Sequence, residues 1–82
     1  MKKVVCIDDA KLPPGAEIIK GNEYSIKKEF INNFDQKVFI IDGINNEGRT
    51  KMGLPWIGYN AKRFADVELL NKVENYEHAY VE

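Results

Sequence analysis

Cys6 is the only cysteine among the 82 residues, and this sets the terms on which the chain folds. No intrachain disulfide can form and no cysteine-rich metal site can be built. A domain of this length buries only about 60–65% of the surface its unfolded chain exposes. One small apolar core must therefore supply nearly all the net stability. Apolar residues make up 44% of the chain and charged residues 30%, the balance of a globular domain. The longest apolar runs are four residues, such as VFII at positions 38–41, far too short to cross a bilayer. The opening MKKVVCIDD reaches two aspartates after four apolar residues, which is too early for a secretory signal. The expectation is a single cytoplasmic domain with a reduced thiol. Cys6 lies within VVCI, where burial as a small hydrophobe is the simplest role.

Short runs bounded by turn formers point to strands. Residues 2–8 read as a strand that is apolar on both faces, as a central or covered strand would be. The AKLPPGAE segment, residues 10–17, is a loop, because Pro13–Pro14–Gly15 continues neither strand nor helix. Glu23–Ile31 alternates, with Tyr24, Ile26 and Phe30 on one face and Ser25, Lys27 and Glu29 on the other. Lys28 interrupts that apolar face and marks a bend. Residues 32–36, NNFDQ, form a hairpin loop. Residues 37–44 form a third strand that ends or bulges at Asp42–Gly43. Asn45, Asn46, Glu47 and Gly48 read as a further turn, and residues 49–54 as a short strand or extended connection.

The densest segment is LPWIGYNAKRF, residues 54–64, which holds the only tryptophan. Residues 56–59 read as a strand. Asn60 is a good N-cap, Ala61–Arg63 is one helical or 3₁₀ turn, and residues 66–70 make a last strand. A single turn there lets the last strand pair with the first and close a small five-stranded barrel. On this reading Trp56 or Ile57 packs into the core with Phe64, while Lys62 and Arg63 project. The expected class is thus mostly β: a five-stranded barrel over residues 1–70, followed by an acidic helix or flexible tail over 71–82. In that tail Leu69, Val73, Tyr76 and Tyr80 follow helical spacing. Residues 66–82 carry five carboxylates against Lys72, a charge of −4, and residues 1–65 carry +3. A solvated tail is the simpler reading; a cover for a basic surface is the sharper one.

No G-x-S-x-G, P-loop, HExxH or G-x-G-x-x-G sequence occurs. Cys6 and His78 are seventy-two residues apart and offer no metal spacing. Asp8, Asp9 and Asp42 could gather a divalent ion, but Asp8 and Asp9 are better suited to bonding backbone amides at a strand end. No catalytic residue, cofactor or metal is expected, and the chain reads as a non-enzyme.

Several short motifs recur in one order: KVVCIDD, then I-x-K-G-x-x-Y-x-I from Ile18 to Ile26, then VFIIDGI, then GYNAKRF. Residues 2–67 in this order resemble a group of short uncharacterised proteins of bacteriophages and prophage-like regions, which are similar to small SH3-like β-barrels. The acidic end after Val67 departs from that pattern. The resemblance implies an SH3-like barrel and a phage or mobile-element origin, and assigns no site residues.

Two binding classes follow. SH3-like barrels dock extended peptides on aromatic residues between loops, and Tyr24, Trp56 and Tyr59 are the candidates, with Lys62 and Arg63 beside them. Core packing is the competing role for these rings. The alternative is single-stranded nucleic acid held by Arg49, Lys51, Lys62 and Arg63 with Trp56 and Tyr59. Four cations on a net-acidic chain make that binding weak and salt-sensitive. The expected partner is a protein, with nucleic acid second, no membrane, and a monomer or weak homodimer as the working state.

Overall fold

Turn residues divide the chain as their chemistry requires. A computed structural model describes residues 2–67. The strands are β1 (Lys3–Cys6), β2 (Glu23–Ile31), β3 (Lys37–Ile41), β4 (Glu47–Arg49), β5 (Pro55–Ile57), β6 (Tyr59–Asn60) and β7 (Phe64–Asp66). A 3₁₀ turn, Ala61–Arg63, joins the last two. The domain is thus mostly β. Among the described residues no helix is long and apolar enough to cross a membrane. The helix or tail expected over residues 71–82 lies outside the described residues.

β6, β3, β2, β1 and β7 form a five-stranded sheet in that order, and β4 with β5 forms a separate two-stranded ribbon. All pairings are antiparallel. β7 does return to β1, with Cys6 opposite Phe64 and Val4 opposite Asp66. The sheet is not closed into a barrel by a ladder between its two edges. Its edges, β6 and β7, are joined by the Ala61–Arg63 turn and not by a ladder. These edge strands are short, two and three residues.

β2 has the expected limits, but its faces differ from the simple alternation. Ile26 pairs with Ile41, whereas Lys28 pairs with Ile40, so Lys27 is an extra residue in a β-bulge. One inserted residue reverses the parity of everything after it. Phe30 therefore leaves the face of Ile26 and joins Val38, its cross-strand partner, on the reverse face. The core proper gathers Val4, Cys6, Ile18, Ile26, Phe39, Ile41, Tyr59 and Phe64. Val38 is buried but stands outside that cluster. It is covered by the chain at Gly58, where an added Cβ would lie 2.3 Å from Val38 Cγ1. Gly58 also has φ +72°, so both sterics and backbone require glycine.

β3 ends at Ile41 and not at residue 44, because Asn46 takes over its hydrogen bonding. Asn46 Oδ1 accepts from Ile41 N–H at 2.7 Å, and Asn46 Nδ2 donates to the carbonyls of Ile41 and Ile44, each at 2.8 Å. The side chain imitates a neighbouring strand. Glu47 and Gly48, expected in a turn, instead open β4. The next turn is residues 50–54, where Thr50 N–H donates to Leu54 C=O at 2.7 Å. The expected strand over 56–59 breaks at Gly58. Among the described residues the final strand is Phe64–Asp66, and most of the strand expected over 66–70 lies outside them.

Candidate binding site

The sequence candidates lie around the long loop of residues 7–22. Tyr59 is only 3% exposed, at the centre of the core. Its hydroxyl accepts from Glu17 N–H at 3.1 Å and donates to the Asn45 carbonyl. Burial pushes the phenol's pKa above its ordinary value, and the nearby Glu17 carboxylate adds to that. The hydroxyl therefore keeps its proton and its donor role at neutral pH. Tyr24 is half-buried, and its hydroxyl accepts from Ile19 N–H at 2.8 Å. Trp56 is half-buried too, and its Nε1–H donates to the Pro14 carbonyl at 3.1 Å. Gly48 makes room for the indole, since a Cβ there would meet Trp56 Nε1 at 2.7 Å. Arg63 donates to the Ala10 carbonyl at 2.8 Å and lies 3.6 Å from Asp8 Oδ1.

Four of the five residues singled out in the sequence thus hold one loop by its backbone. The three rings among them, joined through Phe64, form a continuous path through the core. Trp56 to Tyr59 is 5.6 Å between centroids, Tyr59 to Phe64 is 6.5 Å, and Phe64 to Tyr24 is 6.3 Å. Tyr24 and Trp56 stand at the two ends of that path, so they do not form one surface. Lys62 alone is exposed, while its backbone N–H caps the turn on Asn60 Oδ1 at 2.9 Å. Asp8 and Asp9 bond backbone amides as expected, those of Ala10 at 2.9 Å and Lys20 at 3.0 Å. Cys6 is buried, and burial raises its thiol pKa, which leaves it a poor nucleophile at neutral pH.

The alternative cation set is divided in the same way. Arg49 donates to the Gly53 carbonyl at 2.8 Å, and Arg63 is engaged with Asp8 and Ala10. Lys51 and Lys62 remain exposed. Tyr59 offers no face to a base.

A further open surface lies elsewhere. A cleft of about 470 Å³ runs between β5 and the β2–β3 turn, lined chiefly by Phe30, Phe34, Pro55, Trp56 and Ile57. Phe34 is 81% exposed and Ile57 58%. Phe34 stands out because its turn is held from within. Asn32 Oδ1 accepts from the Phe34 and Gln36 amides at 2.9 and 3.0 Å. Asp35 turns the chain at φ +59°. Phe30 reaches the cleft through the bulge at Lys27. Sequence reasoning missed Phe30, Phe34, Pro55 and Ile57. One signal was available: a phenylalanine inside NNFDQ, where every neighbour is a polar turn former. Leu54 and Met52, also exposed, extend the apolar surface along the ribbon tip. Of the expected contacts only Trp56 lines the cleft.

No model of a known protein family matches the chain, and no curated protein or solved structure is significantly similar to it.

Proposed function

We propose that this chain is a small non-catalytic domain that binds another protein through the cleft between β5 and the β2–β3 turn. The observation that carries the reading is Phe34, displayed at 81% exposure from an internally bonded turn beside exposed Ile57. Scattered apolar residues on a surface need no explanation, but several converging on one cleft mark an interaction site. The finer fold reading, an SH3-like barrel, draws support from the return of β7 to β1 after one capped 3₁₀ turn. A phage or mobile-element origin rests on the order of the KVVCIDD, VFIIDGI and GYNAKRF motifs. A cytoplasmic setting, and a monomer or weak homodimer, complete the proposal.

The test is capture from nuclease-treated bacterial lysate on immobilised protein, with Phe34→Asp as the control bait. Wild type should retain a protein that Phe34→Asp releases. Equal retention by both baits overturns the assignment of the cleft. In a parallel capture from untreated lysate, recovery of nucleic acid that high salt removes would transfer the function to Lys51 and Lys62, the exposed cations of the alternative set.

A further inference from the structure

The register of the β4–β5 ribbon decides which of its backbone groups face outward. Glu47 is opposite Ile57, Gly48 opposite Trp56 and Arg49 opposite Pro55. Gly58 N–H donates to Asn46 C=O at 2.6 Å, and Thr50 N–H donates to Leu54 C=O at 2.7 Å. Hydrogen-bonded and non-bonded pairs alternate along an antiparallel ladder. The pairs 46/58, 48/56 and 50/54 are therefore the bonded ones. Pro55 and Ile57 then turn their backbone polar groups away from β4. β5 presents the Ile57 N–H, the Ile57 carbonyl and the Pro55 carbonyl along its free side, and none has a partner among the described residues. The cleft is lined by all three residues of β5 and by none of β4, so it lies along that free side.

We propose that the cleft receives an extended segment of the partner protein as an added strand on β5. This rests on the reading of the cleft as a protein-binding site and specifies what enters it. Three features define the occupant. It must be extended, because only a strand's backbone meets a donor and two acceptors spaced along an edge. Its central residues must be uncharged and partly apolar. The lining is Phe30, Phe34, Pro55, Trp56 and Ile57 with the amides of Asn32, Asn33 and Gln36, and it holds no charge to pair with one. Finally, it must donate from two residues spaced two apart, one to the Pro55 carbonyl and one to the Ile57 carbonyl. This holds for either strand direction. Proline is therefore excluded at both positions. Pro55 itself lacks an N–H, so β5 asks for one acceptor only and cannot extend the ladder further in that direction.

The probe is a synthetic random decapeptide library on beads, screened against wild type and Phe34→Ser. Phe34→Ser changes an exposed turn residue and leaves the core intact. Enriched peptides should carry uncharged centres with apolar residues at alternate positions and should lose binding to Phe34→Ser. N-methylation of either donating amide should weaken binding by roughly tenfold or more, because a carbonyl of β5 is left buried without a donor. The Ile57 amide should gain protection from hydrogen exchange in the complex. Peptides that depend on Phe34 yet tolerate N-methylation at every position overturn strand addition and leave the cleft as a protein-binding site. Enrichment of helical or charged peptides has the same meaning. An empty screen, with Ile57 protected only as wild type dimerises on sedimentation, overturns the partner segment in favour of a second copy. An empty screen without dimerisation overturns both readings.

Discussion

The long loop of residues 7–22 and the cleft beside β5 use similar residues to opposite ends. Around the loop, Tyr24, Tyr59, Trp56 and Arg63 each place a polar end on loop backbone. Beside β5, Phe34 and Ile57 stand exposed and the strand's outer amide and carbonyls have no partner among the described residues. Aromatic and basic density is therefore a poor guide to a surface in so small a domain. A core this size cannot bury a sixteen-residue loop under apolar contacts alone, so it draws on side chains that are apolar along their length and polar at the tip. The contrast is between polar tips that have partners and apolar faces that do not.

The harshest way to break the contrast is at Gly58, which underlies both regions. Gly58→Val places a Cβ against Val38 Cγ1 and the Phe39 carbonyl at a positive φ. A loss of about 3 kcal/mol or more is expected, leaving no cooperative urea transition. A well-folded Gly58→Val protein would mean that the packing of Val38 beneath the chain is wrong. Next is Tyr59→Phe, which strips the bond from Glu17 N–H and the bond to Asn45 C=O while keeping the ring. It should cost about 1–3 kcal/mol in urea unfolding and make the 7–22 amides exchange faster. A neutral result would show that the loop does not depend on its aromatic tips.

Alkaline pH sharpens the same point. Burial disfavours the charged forms of Cys6 and Tyr59 in the folded state and raises both pKa values from 9.0 and 10.0. Their stabilising contribution is whole below those unfolded values and is lost as pH rises through the folded ones. Melting temperature should therefore fall with rising slope above roughly pH 9, and Tyr59→Phe should flatten the upper part of that slope. The smallest effect on stability belongs to the cleft. Phe34→Ser should change unfolding free energy by no more than about 0.5 kcal/mol, yet abolish peptide capture. If it unfolds the chain instead, Phe34 belongs to the core and the cleft is not a free surface.

Local chemistry was legible wherever it acts over a few residues. Asn60 as a cap, Ala61–Arg63 as one turn, Glu23–Ile31 as a strand and Asp8 as acceptor of the Ala10 amide all follow from the sequence, because each depends on near neighbours. The β4 segment was misplaced for a related reason. Asn45, Asn46 and Gly48 carry turn chemistry, but Asn46 uses its side chain to close the end of β3 and so frees residues 47–49 to be extended. The candidate site was hardly legible at all. Trp56 was among the expected contacts, whereas Phe30, Phe34 and Ile57 were not.

By itself the sequence determined a small, mostly β domain with no disulfide, the turn at residues 32–36, its capped 3₁₀ turn and the return of the chain to its first strand. Only the tertiary structure decided three further things. One bulged residue sends Phe30 to the reverse face. The two short edges of the sheet are joined by a turn and not by a ladder. The aromatic tips meet the carbonyls and amides of a loop up to 42 residues away. Face parity, edge pairing and long-range hydrogen bonds depend on where distant segments meet, and no local pattern of residue types encodes that meeting.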